Sequence, residues 1–401
     1  MDVRKREYFL DRLRVAATCA VVLLHTVTGV MDTTDMNPYP GEKRLFLVVL
    51  DLVCWCVPVF LIISGYLFLN PHREFTFRSM IIKYCRRVLL ALFLFGVPYA
   101  CLEQAALEKT FRVGMIGKGF LMVLRGESWA HMWYLYLIFF LYLLTPGLKR
   151  LLHKMPKTGV YILLAVLFIG SSILPFLKKL MSLDWLVTLP DGGIYLFYYI
   201  CGYLFVCGSE IETVKGIKER DTRVQGLSHD PAMGKPHAVR KVPDKNMDLD
   251  KRHEPGRKGN MESRYGWLWP GIALILAVGM TISRLVGSYT VQMAYNYPFT
   301  VALALALFAW GLQVQRQGRC GSKYNGFWEK ASALSFGVYL IHPVFLNLCY
   351  KFLHVTPLSH VVPLPFAVWA SLPLFFLGAL LTAAVGAWIL RKIPALRKYV
   401  L

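Results

Sequence analysis

LDRLRVAATCAVVLLH, residues 10–25, is apolar enough to enter a bilayer, yet it carries Asp11, Arg14, Thr18 and His25 at steps of 3, 4 and 7. At about 100° per residue these steps keep all four side chains on one stripe of a helix. Ionisable groups inside a membrane are costly and face a bundle interior or a water-filled cavity. The segment is therefore expected to turn its polar stripe inward, with Arg14 near one membrane surface and His25 about 16 Å further along the axis. For the single residues a blander reading stays open, in which Asp11 and Arg14 anchor the helix at the interface and His25 is a hydrogen-bonded packing residue.

Outward from this segment, apolar runs of near twenty residues recur at roughly 11–30, 45–69, 81–102, 131–149, 160–177, 190–208, 267–287, 293–315, 333–355 and 364–390. They predict an all-α polytopic membrane bundle of about ten transmembrane helices. The chain is 56% hydrophobic and 17% charged, too apolar for a fold with a fully wetted surface. Its formal charge of +21 would point to nucleic acid in a soluble protein. Here the basic residues fall in short clusters between apolar runs, without a basic groove interleaved with stacking aromatics, so no nucleic-acid partner is expected. With the N-terminus placed in the cytoplasm, the inside segments hold 35 of the 45 Lys and Arg. Without the long loop the ratio is still 22 to 10, which predicts both termini inside. No cleavable signal precedes the first span, so residues 1–30 are expected to be retained. The nine cysteines sit mostly within apolar runs and lack metal-ligand spacing; they are read as small buried hydrophobes, with no metal expected.

Three segments follow. Residues 1–208 carry helices one to six, 209–264 form a flexible charged cytoplasmic insertion, and 265–401 carry helices seven to ten with a short basic tail. The insertion holds 13 basic and 10 acidic residues, so it does not force a polybasic lipid-binding role. In the external stretch 103–130, Phe111 to Leu124 is short, apolar and glycine-punctuated. It reads either as a re-entrant or interfacial segment over a site or as a plain surface loop.

Further polar residues extend the candidate site. Lys83, Arg86 and Arg87 stand where the third helix begins, on the same side as Arg14, and Lys83 and Arg87 share a face by i,i+4 spacing. The alternative is plain positive-inside anchoring. His131 opens the fourth helix in HMWYLY, at the depth of His25, followed by the interfacial aromatics Trp133 and Tyr134. In SFGVYLIHP, residues 335–343, Ser335, Tyr339 and His342 again share one stripe, and Pro343 is expected to bend the helix and free a backbone carbonyl. His342 then serves either the site or that local defect.

LDRLRVAATCAVVLLH, KYCRRVLL, HMWYLYLIFFLYLLTP and SFGVYLIHPVF together resemble, in this order, the acyltransferase-3 family of membrane acyltransferases. The resemblance runs from about residue 8 to 390 and omits only the insertion. It implies a ten-helix bundle in the bacterial cytoplasmic membrane that draws an acetyl or other acyl group from cytoplasmic acyl-CoA. The acceptor it implies is a hydroxyl of a cell-surface or lipid-linked carbohydrate. By motif, His25 matches the family's catalytic histidine, Arg14 the arginine of the opening segment, Arg86 and Arg87 the third-helix arginines, and His342 the histidine of the YLIH signature. No esterase-like or racemase-like extension of the kind some members carry is seen, and a bare membrane module is expected.

The chemistry that follows puts the phosphates of acetyl-CoA, or another acyl-CoA, against Arg14, Lys83, Arg86 and Arg87, because guanidinium forks match phosphate oxygens. The thin pantetheine arm would run through a closed tunnel along the first helix toward His25, held neutral by burial and acting as general base. An acyl-histidine intermediate is the other route. Asp11 would orient Arg14, while Tyr339, His342 or His131 would position the acceptor or steady an oxyanion, with Trp133 beside it. Rival functions are a transporter or flippase using the same His and Arg groups, a non-catalytic sensor, and acyl transfer to an amino acid or lipid headgroup.

Overall fold

The computed structural model describes residues 6–73, 75–208, 267–286, 294–318, 324–358 and 367–401; the 209–264 insertion lies outside them. Every regular element among the described residues is helical. In chain order they are α1 (Tyr8–Thr33), α2 (Pro40–Phe68), α3 (Phe77–Glu108), α4 (Gly114–Arg125), α5 (Ala130–Lys154), α6 (Lys157–Met181), α7 (Gly192–Gly208), α8 (Leu268–Val286), α9 (Pro298–Arg316), α10 (Asn325–Phe352), α11 (Ala367–Leu390) and α12 (Pro394–Tyr399). Among the described residues, nine of them are long and apolar enough to cross a bilayer. The run expected at 190–208 gives the seventeen-residue α7, about 26 Å long and somewhat short of a hydrocarbon core of about 30 Å.

Local chemistry breaks the helices where they bend. In α2 the turn at Cys54–Trp55 separates Pro40–Val53 from Cys56–Phe68, because Pro58 has no N–H to give the Cys54 carbonyl. Thr76 caps α3 by accepting from the Ser79 amide at 3.1 Å, and the helix then passes through a π-turn at Met80–Cys85. The twelve-residue α4 is too short to span. It packs on α3 through Met115, Gly119 and Val123 while exposing Ile116, Phe120, Leu121 and Leu124, which makes it an interfacial helix rather than a plain loop.

The first helix is central: α2, α9, α10 and α11 all pack against it. Where α2 crosses α7 the backbones nearly touch. A Cβ on Gly65 would lie 1.8 Å from the Tyr199 carbonyl oxygen, and one on Gly202 would lie 2.3 Å from the Tyr66 amide nitrogen. Close backbone approach through small residues is how helices associate where lipid offers no hydrophobic drive. A buried ion pair ties α2 to α8, with Arg284 donating to both carboxylate oxygens of Asp51 at 2.8 and 3.0 Å. Arg6 of the N-terminal segment pairs with Glu329 at the start of α10, and Arg87 of α3 bonds the backbone of Val400 and Leu401, which ties each of these segments to the bundle. Gly65→Ala is expected to force α2 from α7, lowering thermal stability in detergent by about 1–3 kcal/mol, as overpacking does; a melting temperature equal to that of the parent would show that the crossing is not tight.

Candidate functional site

The polar stripe of α1 runs into the bundle as its spacing demands. Asp11 is buried and accepts from Arg6 Nε at 2.9 Å, while Arg14 Nη1 stands 3.7 Å from its other oxygen. That hydrogen bond raises the Arg6 pKa above its usual value, and Asp11 thereby holds two guanidinium groups at one face. Thr18 turns its hydroxyl back onto the Arg14 carbonyl at 2.8 Å, which removes a donor from the apolar interior.

Above Arg14 opens a cavity of about 540 Å³. Four arginines, Arg14, Arg73, Arg87 and Arg391, line it together with Tyr84, and it reaches Val21, Ser64, Tyr134, Tyr142, Ser335 and Tyr339. Arg87 donates through Nε and Nη2 to the Val400 and Leu401 carbonyls at 2.7 and 2.6 Å and lies 5.5 Å from the Phe336 ring centre. Lys83 and Arg86 do not line this cavity. Both are exposed; Lys83 sits over the Tyr84 ring at 5.5 Å and Arg86 over the Tyr399 ring at 5.2 Å. Lys83 stands within the π-turn at Met80–Cys85, and of the pair only Arg87 reaches the cavity.

A second cavity, of about 370 Å³, opens at the other end of α1. His25, Thr28, Asp32, Glu103, Glu127, Trp129, His131, Asn347 and Lys351 line it. Its wall is braced by charge and stacking: Lys351 pairs with Glu103 at 2.8 Å, Glu103 accepts from Trp129 Nε1 at 3.0 Å, and Trp129 lies flat on Tyr99 with centroids 4.2 Å apart.

No residue lines both cavities, so the single tunnel expected along α1 is interrupted in this structure. The interruption is thin. Val21 faces the arginine-lined cavity and His25 the other, and the same offset of about one turn separates Tyr134 from His131 on α5 and Tyr339 from Pro343 on α10. Within that partition three imidazoles gather. His25 is half-buried, His131 and His342 are buried, and the centroids are 5.1 Å (His25 to His342), 5.5 Å (His131 to His342) and 6.3 Å (His25 to His131) apart. Tyr339 donates its hydroxyl to the His131 carbonyl, and His342 Nδ1 lies 2.8 Å from the Tyr339 carbonyl. The Nε2 atoms of His131 and His342 are buried without a hydrogen-bond partner. Among the described residues no His, Cys, Asp and Glu group is arranged to hold a metal ion, the three imidazoles included.

Of the residues singled out by sequence, the partition collects His25, His131, Tyr339 and His342, and the arginine-lined cavity collects Arg14 and Arg87 over Asp11. Trp133 lies apart, in an aromatic group with Tyr195 and Tyr295 at 5.5 and 5.7 Å. Arg73, Arg391, Tyr99 and Trp129 escaped sequence reasoning. The two arginines stand at helix ends, where they are indistinguishable from positive-inside anchors, and the Tyr99–Trp129 stack joins two elements that no spacing rule connects.

Nine long apolar helices among the described residues make this a polytopic membrane protein. The chain belongs to the acyltransferase-3 family: the family model, described as an acyltransferase domain, matches residues 7–391. No curated protein and no solved structure matches the chain.

Proposed function

We propose that this membrane acyltransferase takes an acetyl or other short acyl group from acyl-CoA on the cytoplasmic side and transfers it to a hydroxyl of a cell-surface or lipid-linked carbohydrate. The observation that carries the reading is the pair of cavities meeting at a wall one helical turn thick that contains His25. The arginine-lined cavity suits the donor. Guanidinium forks recognise phosphate oxygens bidentately, so Arg14, Arg73, Arg87 and Arg391 are assigned to the phosphates, with Asp11 orienting Arg14. Lys83 and Arg86, standing outside that cavity, are assigned to anchoring the basic face. The Lys and Arg asymmetry supports putting both termini and this face in the cytoplasm, and the family resemblance supports a bacterial inner membrane.

The opposite cavity suits a hydroxylated acceptor, since His25, Thr28, Asp32, Glu127 and Asn347 offer hydrogen-bond partners beside the flat Trp129. His25 removes the proton from the acceptor hydroxyl as its oxygen attacks the thioester carbonyl carbon. Collapse of the tetrahedral intermediate breaks the carbon–sulfur bond, and the imidazolium returns its proton to the departing thiolate, leaving ester and free thiol. The buried Nε2 of His131 and of His342 complete the polar surroundings of that step. For the thioester to reach His25, the contact of Tyr339 with the His131 carbonyl has to open.

His25→Gln is expected to lower transfer by at least about 100-fold while leaving folding and acyl-CoA binding intact, as loss of a general base does; a well-expressed variant with parental turnover would remove the mechanism. Arg73→Gln is expected to raise the acyl-CoA concentration needed for half-maximal rate about tenfold, the value of one charge-assisted hydrogen bond, with little change in turnover. An unchanged requirement would take the donor out of this cavity. Consumption of acetyl-CoA by purified protein in detergent separates the enzyme from a transporter, which would leave the thioester intact.

A further inference from the structure

In a regular helix the amide of residue 343 would donate to the carbonyl of Tyr339, four residues back. Pro343 has no N–H, yet it sits inside α10, which runs on as α-helix to Asn347. The carbonyl left over is not idle. His342 Nδ1 stands 2.8 Å from it and 3.2 Å from the Val338 carbonyl, which already has its place in the helical ladder. A carbonyl can only accept, so Nδ1 carries the hydrogen and the lone pair of His342 is at Nε2. That atom is buried and has no partner, and the ring centroid is 5.1 Å from that of His25. The next carbonyl, Leu340, accepts from the Tyr99 hydroxyl at 2.7 Å. Pro343 thus leaves one backbone acceptor, the Tyr339 carbonyl, to the His342 ring.

We propose that Pro343 is a positioning residue for acyl transfer: by withholding the helical donor from the Tyr339 carbonyl it fixes the tautomer of His342, whose Nε2 lone pair is thereby presented to His25. This rests on the acyltransferase reading of the same site. When His25 takes the acceptor's proton on one ring nitrogen, the N–H already present on its other nitrogen is the one His342 Nε2 accepts, and the new proton stays on His25 for return to the thiolate. At 5.1 Å between centroids the rings are close enough for a direct nitrogen-to-nitrogen hydrogen bond once their edges face. His342 then stabilises the cation formed on the reaction path, as a buried hydrogen-bonding partner does for a catalytic histidine.

Pro343→Ala separates this role from a packing role, because the substitution supplies an N–H that competes for the Tyr339 carbonyl while making the helix more regular. The expected result is an unchanged or higher melting temperature, turnover lower by about tenfold or more, and an unchanged acyl-CoA requirement. In full-length protein labelled with ¹⁵N-histidine, the signal that disappears in His342→Gln should report protonated Nδ1 in the parent and lose that pattern in Pro343→Ala. Parental turnover in Pro343→Ala, an unaltered His342 tautomer, or turnover and melting temperature falling together would each overturn the proposal. If the parent consumes no acyl-CoA, the acyltransferase reading fails by itself, and the tautomer signal still decides whether Pro343 governs His342.

Discussion

Polar groups that enter a bilayer must find their partners inside the protein, because no water is there to take them. Everything distinctive in this bundle follows from that constraint acting on α1. A helix carrying Asp11, Arg14, Thr18 and His25 on one stripe cannot face lipid, so α2, α9, α10 and α11 surround it. Asp11 is met by Arg6 and Arg14, Thr18 by the Arg14 carbonyl, and His25 by two further imidazoles. The same accounting explains the ion pair of Asp51 with Arg284, where two helices share a cost that neither could carry alone.

The accounting is incomplete at several places, Ser171, Ser172 and Thr300 among them, and the imidazole partition is the one that lies between the two cavities. There His131 and His342 bury Nε2 atoms with no partner, whereas the hydroxyls of Thr26, Thr145 and Thr382 are tied to backbone carbonyls one turn away. A buried acceptor without a donor is destabilising unless a substrate group or a reaction intermediate supplies one. Charge is distributed to match. Arginines collect around one cavity, while carboxylates and hydroxyls prevail around the other, and a wall one turn thick lies between them.

Much of this was legible in sequence, for physical reasons that differ from residue to residue. The length and apolarity of the runs dictated the spans, and the 3, 4 and 7 spacing dictated that His25 points inward. SFGVYLIHP announced both a stripe and a carbonyl without a donor, since Pro343 acts on its own helix. Whatever depended on more than one helix was not legible. Arg87 lines the arginine-rich cavity and Lys83 does not, a difference set by the neighbouring helices that wall the cavity. Arg73 and Arg391 were hidden among surface anchors, and Trp133 drew attention that the stacked Trp129 deserved more. The Tyr339 hydroxyl, in the wall of one cavity, meets the carbonyl of His131, in the wall of the other, a contact between residues 208 positions apart.

The central claim is that donor and acceptor approach His25 from opposite sides of this wall. It is tested most directly by a cryo-electron microscopy structure of the full chain with a thioether analogue of acyl-CoA that cannot release its acyl group. The account predicts phosphate density among Arg14, Arg73, Arg87 and Arg391, with the acyl carbonyl brought beside the His25 ring and Tyr339 displaced from His131. Phosphates bound at the carboxylate-lined cavity instead, or an analogue whose carbonyl stops short of the imidazole partition, would contradict it.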